Sequence, residues 1–165
     1  MSDFGPTEQR LRRIEARMPS FPFASMQLVR MTYHLQKTLR DTTNAVLKKY
    51  DLADTSYMVL AILYGSADET STATELSEAC HEKPANLTRV CDELAERGLI
   101  ERTPKPGDRR AVMISLNKHG RRLIEQALPE VSARVMSAYA DFTQVELLQM
   151  AELNARVLRN LASQA

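Results

Sequence analysis

Apolar positions recur at helical spacing along most of the chain and at strand spacing in one stretch. Residues 6–18 place Leu11, Ile14 and Met18 on one face between Pro6 and Pro19, with Arg10, Arg12, Arg13 and Arg17 elsewhere. This predicts a short amphipathic helix that packs on another element. After Phe21-Pro22-Phe23, a long pattern through Leu28, Met31, Leu35, Leu39 and Val46 predicts a second helix from Ser25 to about Tyr50. A third, with Asp54 as its N-cap, is apolar nearly all round at Met58, Leu60, Ala61, Ile62 and Leu63, so it is expected to be central and buried. Gly65 to Ser71 reads as a polar loop.

From Thr72 the pattern changes more quickly. Thr72-Ala73-Thr74-Glu75 fits a capping box, in which hydroxyl and carboxylate each satisfy an orphan backbone N–H, and it opens a helix of barely two turns that ends near Cys80. His81 falls where a left-handed residue is needed, and Pro84 is suited to a first helical position. Leu87, Val90, Cys91 and Leu94 then form a stripe at i, i+3, i+4 and i+7, opposite Ala85, Asn86, Thr88 and Arg89 early and Asp92, Glu93 and Glu96 late. Gly98 ends this helix. Alternation from Ile100 and Arg102, a tip from Thr103 to Arg110, and alternation at Val112, Ile114 and Leu116 predict a two-stranded hairpin. Asn117 caps a helix through Leu123, Ile124, Leu128, Val131 and Val135, with a kink expected at Pro129. A second capping box, Thr143 to Glu146, opens a last helix carrying Leu147, Ala151, Asn154, Leu158 and Leu161. The fold class is mostly α with a small β-wing, a winged helix-turn-helix head on a helical dimerisation stalk. Residues 51–116 are the winged head, 25–50 and 117–165 the stalk, and 1–24 an N-terminal helical extension.

Net charge is +1, but its distribution is uneven: from Lys83 to Arg122 there are ten Lys and Arg against five Asp and Glu. The positive charge thus gathers around the short helices and hairpin, as in a module that docks on phosphates. No run approaches the ~18 apolar residues of a membrane span, and the N-terminus lacks the apolar core of a signal peptide, so the expected location is cytoplasmic and away from membranes. Cys80 and Cys91 lie within helical patterns and not in a spaced framework, which suits a reducing compartment.

A helix that enters a major groove reads with its N-terminal half. Here that half offers Asn86 for an adenine edge, Thr88 for a thymine methyl or a phosphate, and Arg89 for guanine. The other reading is a solvated helix face. The hairpin tip changes the balance: Asp108 stands two residues before Arg110 and is placed to hold its guanidinium extended toward a narrow minor groove, with Lys105 and Arg109 on phosphates. Taken alone, Asp-Arg-Arg is an ordinary charged turn; its place just beyond the helix gives it meaning.

Leu94-Ala95-Glu96-Arg97-Gly98-Leu99-Ile100-Glu101-Arg102, then Asp108-Arg109-Arg110, then Ser115-Leu116-Asn117-Lys118-His119-Gly120, resemble the MarR family of transcriptional regulators over residues 25–163. Thr7-Glu8-Gln9, Phe21-Pro22 and Asn86 followed by Thr88-Arg89 resemble more narrowly the members that repress multidrug efflux genes. The resemblance implies a homodimer with interlocked terminal helices, two heads on a near-palindromic operator in double-stranded DNA, and release by a small aromatic or amphipathic effector between head and stalk. It maps the DNA readers onto Asn86, Thr88 and Arg89, and the wing arginine onto Arg110 with Asp108 as its holder. Where many members cap the reading helix with Ser or Thr, this chain has Lys83, so Pro84, with Ala85 next to it, holds that end and Lys83 is a candidate phosphate contact.

Effector candidates are Arg30, His34, Tyr57 and Met58, two possible anchors beside an apolar wall. A His or Tyr on a mixed helical face is more often a packing residue. A redox switch through Cys80 and Cys91 is an alternative that requires partial exposure and a cationic neighbour such as His81. No phosphate loop, nucleophile elbow or ligand-spaced cluster is present, so neither an enzyme nor a metal or other cofactor is expected. A helical interaction adaptor that has lost operator binding is the remaining alternative.

Overall fold

The computed structural model describes residues 4–105 and 107–164, with the backbone but not the side chains of 108–111. Among the described residues seven α-helices run in the order α1 (Gly5–Arg17), α2 (Phe23–Leu47), α3 (Asp54–Gly65), α4 (Ala73–Ala79), α5 (Pro84–Glu96), α6 (Lys118–Met136) and α7 (Gln144–Ala162). Strands β1 (Thr70–Thr72), β2 (Ile100–Lys105) and β3 (Asp108–Leu116) form one antiparallel sheet in the order β1-β3-β2.

The core gathers around α3, where Val59, Leu60 and Leu63 meet Leu76 of α4, Leu87, Val90 and Leu94 of α5, Ile114 of β3 and Ile124 of α6. All four residues of the α5 stripe are buried, Leu87, Val90, Cys91 and Leu94. Each aliphatic one contributes roughly 1.5–3 kcal/mol of transfer free energy. They thereby fix which side of α5 is left facing outward.

Local chemistry sets the joints. The turn from α4 to α5 is a Schellman motif: His81 is left-handed (φ 52°) and its N–H donates to Glu78 O at 3.1 Å, while the N–H of Glu82 donates to Ser77 O at 3.0 Å. The end of α5 repeats it with Gly98 (φ 64°), whose N–H reaches Ala95 O at 2.9 Å while that of Leu99 reaches Leu94 O at 2.9 Å. Both capping boxes form, at Thr72 with Glu75 and at Thr143 with Glu146. The Asn117 side chain accepts from the N–H groups of His119 and Gly120 at 2.9 Å each and donates to Gly98 O at 2.7 Å, tying α6 to the end of α5.

Several expectations are corrected. Thr70 and Ser71, expected as loop, are strand together with the cap residue Thr72, because β3 offers them a partner edge, with Thr70 opposite Ser115 and Thr72 opposite Met113. The hairpin tip is shorter than Thr103–Arg110: Thr103 and Pro104 still pair, opposite Met113 and Val112, and past a break in register Lys105 stands opposite Asp108, with Gly107 (φ 83°) in the turn. Pro104, with no N–H, is tolerated because β2 is an edge strand. Asp54 is not a cap: it is the first residue of α3, Ala53 precedes it, and its carboxylate pairs with Arg40 of α2 at 2.8 Å. Met58 of α3 faces outward instead of being buried. Pro129 lies inside α6, which continues past it to Met136. Leu11 is buried by α1 packing on α2, and α7 buries none of its residues, so one chain does not cover the apolar stripe of its last helix.

Candidate nucleic-acid interface

The outward side of α5 carries the predicted reading residues. Lys83, Pro84, Ala85, Thr88 and Arg89 are exposed and Asn86 is half-buried. Lys83 is the N-cap residue without a side-chain cap bond, and Pro84 opens the helix. The Thr88 hydroxyl donates to Pro84 O at 2.9 Å. Arg89 donates from Nη2 to Asn86 Oδ1 at 2.9 Å and pairs with Glu93 one turn on. Asn86 Nδ2 donates to the Glu82 carboxylate at 2.8 Å, and Thr55 Oγ1 of α3 donates to the same carboxylate at 3.0 Å. Those two bonds hold the Glu82 carboxyl below its usual range, Asn86 more than Thr55.

The hairpin is clamped to this helix. Arg102 of β2 pairs with Asp92 and donates to the carbonyl of Thr88 at 3.1 Å. The late acidic residues Asp92 and Glu93 therefore carry ion pairs within the head. Lys105, exposed, lies at the end of β2. Asp108, Arg109 and Arg110 begin β3 beside it, but the expected hold of Asp108 on Arg110 concerns side chains outside the described residues.

The effector candidates are less gathered. Arg30 and His34 lie one turn apart on α2, Arg30 exposed and His34 half-buried with its ring 5.9 Å edge-on from Phe4. Tyr57 is buried in the core, where desolvation raises its phenol pKa, whereas Met58 beside it is exposed. The two α3 residues thus face different surroundings. Both thiols are shifted away from reactivity: burial first, then the nearby Cys91, Glu82 and Asp54, pushes Cys80 up to about 11, and burial raises Cys91. A redox switch wants the opposite.

Three residues with evident roles in this geometry were not among the sequence candidates. Glu82 stands four before Asn86, a spacing at which side chains on a helix meet, but it lies in the turn before the helix and signals nothing by itself. Arg102 was legible only as a strand residue. Thr55, in α3, has no local signal for its bond to Glu82.

A short helix, a tight turn, a second helix with its polar side outward and a hairpin bolted to it define a winged helix-turn-helix protein. The MarR family model matches residues 52–112. The chain is 29% identical over 160 residues to the transcriptional repressor MprA of Escherichia coli, covering 97% of this chain and 91% of that protein. It is 30% identical over 122 residues to the uncharacterized HTH-type transcriptional regulator YhbI of Bacillus subtilis, covering 73% of this chain and 76% of that one. Among solved structures, a MarR mutant from E. coli complexed with operator DNA has a TM-score of 0.71 at 24% identity, over 87% of this chain and 96% of that one. CouR from Rhodococcus jostii bound to p-coumaroyl-CoA has a TM-score of 0.70 at 25% identity, over 77% and 88%. The chain belongs to the MarR family of transcriptional regulators. These relatives are regulators and not enzymes. Among the described residues no helix is long and apolar enough to cross a membrane, and no three His, Cys, Asp or Glu side chains are grouped to hold a metal ion.

Proposed function

We propose that this regulator is a ligand-responsive repressor that binds duplex DNA as a homodimer, with α5 in the major groove and the β2–β3 hairpin in the adjacent minor groove. Residues 51–116 serve as the reading head, 25–50 and 117–165 as the dimerisation region, and 1–24 as an extension packed on it. Asn86 meets an adenine edge, Thr88 a thymine methyl or phosphate, and Arg89 a guanine. Lys83, Lys105 and Arg109 meet phosphates, Pro84 and Ala85 border the groove, and Arg110 enters the minor groove. The observation that carries the reading is the Arg102 clamp, through Asp92 and the Thr88 carbonyl, which joins hairpin and reading helix into one body.

The operator complex of MarR and the p-coumaroyl-CoA complex of CouR support duplex DNA and an aromatic effector as the two ligand classes. Arg30 and His34, a turn apart on α2, suit an aromatic anion. Likeness to MprA supports repression; efflux or aromatic-compound resistance and catabolism genes are the regulated class that the sequence resemblance carries. A cytoplasmic location goes with this role.

Selection from a random duplex pool tests it. The wild type is expected to enrich a near-palindrome. Asn86→Ala and Arg89→Ala each lose on the order of tenfold in affinity and relax preference at one position per half-site, whereas Lys105→Ala weakens all duplexes alike and lowers the salt slope by about one. An aromatic acid releases the enriched duplex from the wild type and less readily from His34→Ala. Equal binding of enriched and random duplexes overturns the reading.

A further inference from the structure

The chain of contacts from Thr55 to Glu93 has a direction. Glu82 is pinned at its backbone on both sides: its N–H donates to Ser77 O at 3.0 Å, and its carbonyl accepts from the buried Ser77 hydroxyl at 2.6 Å. Its carboxylate bridges two helices, Oε1 accepting from Thr55 of α3 at 3.0 Å and Oε2 from Asn86 of α5 at 2.8 Å. The same Asn86 amide accepts from Arg89 at 2.9 Å through Oδ1. Thr55 follows Asp54, which pairs with Arg40 at 2.8 Å, so the anchor sits where α3 is itself tied to α2.

We infer that Glu82 is a positioning residue for base reading, anchored on Thr55: it fixes which way the Asn86 amide faces and thereby sets selectivity at the base that Asn86 meets. This deepens the DNA-reading function proposed above and rests on it. An ionised carboxylate only accepts hydrogen bonds and a guanidinium only donates them. An amide held between the two has one orientation that satisfies both, nitrogen toward Glu82 and oxygen toward Arg89. Flipping it sets N–H against N–H and oxygen against oxygen. Bidentate contact with adenine needs the amide oxygen and nitrogen in fixed places, because one receives from the base amino group and the other donates to the ring nitrogen.

The network orients without blocking. Asn86 keeps one N–H and one lone pair, and the guanidinium, with two of its five N–H groups engaged, keeps three for DNA. A neutral Gln at position 82 can turn either its oxygen or its NH2 toward Asn86, so the hold on the amide's direction from the Glu82 side is lost and Arg89 alone sets it. It also removes a negative charge from the start of the reading helix, which favours every duplex equally. Loss of discrimination with undiminished binding to random DNA is therefore the signature, and a residue that merely supports the fold does not produce it.

The experiment compares full-length wild type, Glu82→Gln, Thr55→Val and Thr55→Ser on the selected duplex, its single-base variants and a random duplex at fixed salt. The expected result for Glu82→Gln is a fall on the order of tenfold in discrimination at one position per half-site, with random-duplex affinity equal to or above wild type. Thr55→Val loses part of that discrimination and Thr55→Ser retains it. In an Asn86→Ala background, Glu82→Gln changes the base profile no further. An unaltered base profile in Glu82→Gln overturns the inference, as does a uniform loss on all duplexes, which marks a fold lesion. A wild type without any duplex preference overturns instead the proposed function beneath it.

Discussion

A methyl group on residue 120 would begin 2.1 Å from the carbonyl oxygen of Leu99 and 2.9 Å from Cδ1 of Leu116. Nonbonded atoms do not approach so closely, and the Leu99 oxygen belongs to backbone that has little room to yield. Helix propensity alone says the opposite, since Ala is worth about 1 kcal/mol more than Gly inside a helix. The close approach decides the sign. Gly120→Ala is expected to destabilise the head by about 1–3 kcal/mol, read as a lower urea midpoint with an unchanged slope. A midpoint equal to or above wild type would mean that α6 and the end of α5 are not in contact there. Glu82 teaches the complementary lesson: a residue of unremarkable type becomes informative through what holds it, a buried serine at its backbone and two helices at its carboxylate.

At the level of elements, caps carry much of the specification. Glu75 accepts from the Thr72 N–H at 2.8 Å and from the Ser71 hydroxyl at 2.9 Å, while its own N–H donates to Thr72 Oγ1 at 3.2 Å. The Thr72 N–H first, then the Thr72 and Ser71 hydroxyls, hold the Glu75 carboxyl below its ordinary 4.5. A carboxyl lowered in the folded state stabilises above the unfolded value and loses that contribution as pH falls through the folded one. Glu75→Gln should therefore be less stable than wild type at pH 7, and the gap should narrow below about pH 4.5, as measured by urea unfolding at both pH values. Thr72→Ala should cost about 1 kcal/mol at pH 7 and less below pH 4.5, because the Thr72 hydroxyl is one of the groups that hold the Glu75 carboxyl down. Such caps were legible because all their parts lie within four residues, as were the α5 stripe and the left-handed His81. What escaped was nonlocal. Thr70-Ser71-Thr72 has no apolar alternation and becomes strand only because β3 lies alongside. Asp54 reads as a cap until Arg40 of α2 draws its carboxylate away. In the site, the residue types on α5 were readable, but the Thr55 bond that anchors Glu82 joins residues 27 apart in the chain.

For the whole molecule, the uneven cover of apolar surface is the informative fact. Val145, Leu148, Leu153, Val157, Leu158 and Leu161 of α7 are exposed, as are Leu28, Val29, Met31 and Leu35 of α2, while the head has a closed core. Apolar surface of that extent favours burial against a second copy. The proposed homodimer predicts that Leu158→Glu with Leu161→Glu sediments as a monomer at concentrations where the wild type sediments as a dimer. It should also bind the near-palindrome about 100-fold more weakly, because two linked heads gain by effective concentration. Unchanged sedimentation of the double variant would place the contact elsewhere. The three-stranded sheet adds a mechanical consequence. Toward the tip β3 pairs with β2 as far as Val112 and, past a break in register, again at Asp108; at its other end it pairs with β1, whose final residue Thr72 is also the cap of α4. A load carried down β3 therefore reaches the start of α4 by two routes, through β1 and its Thr72 cap and through the packing of α4 on β3 itself.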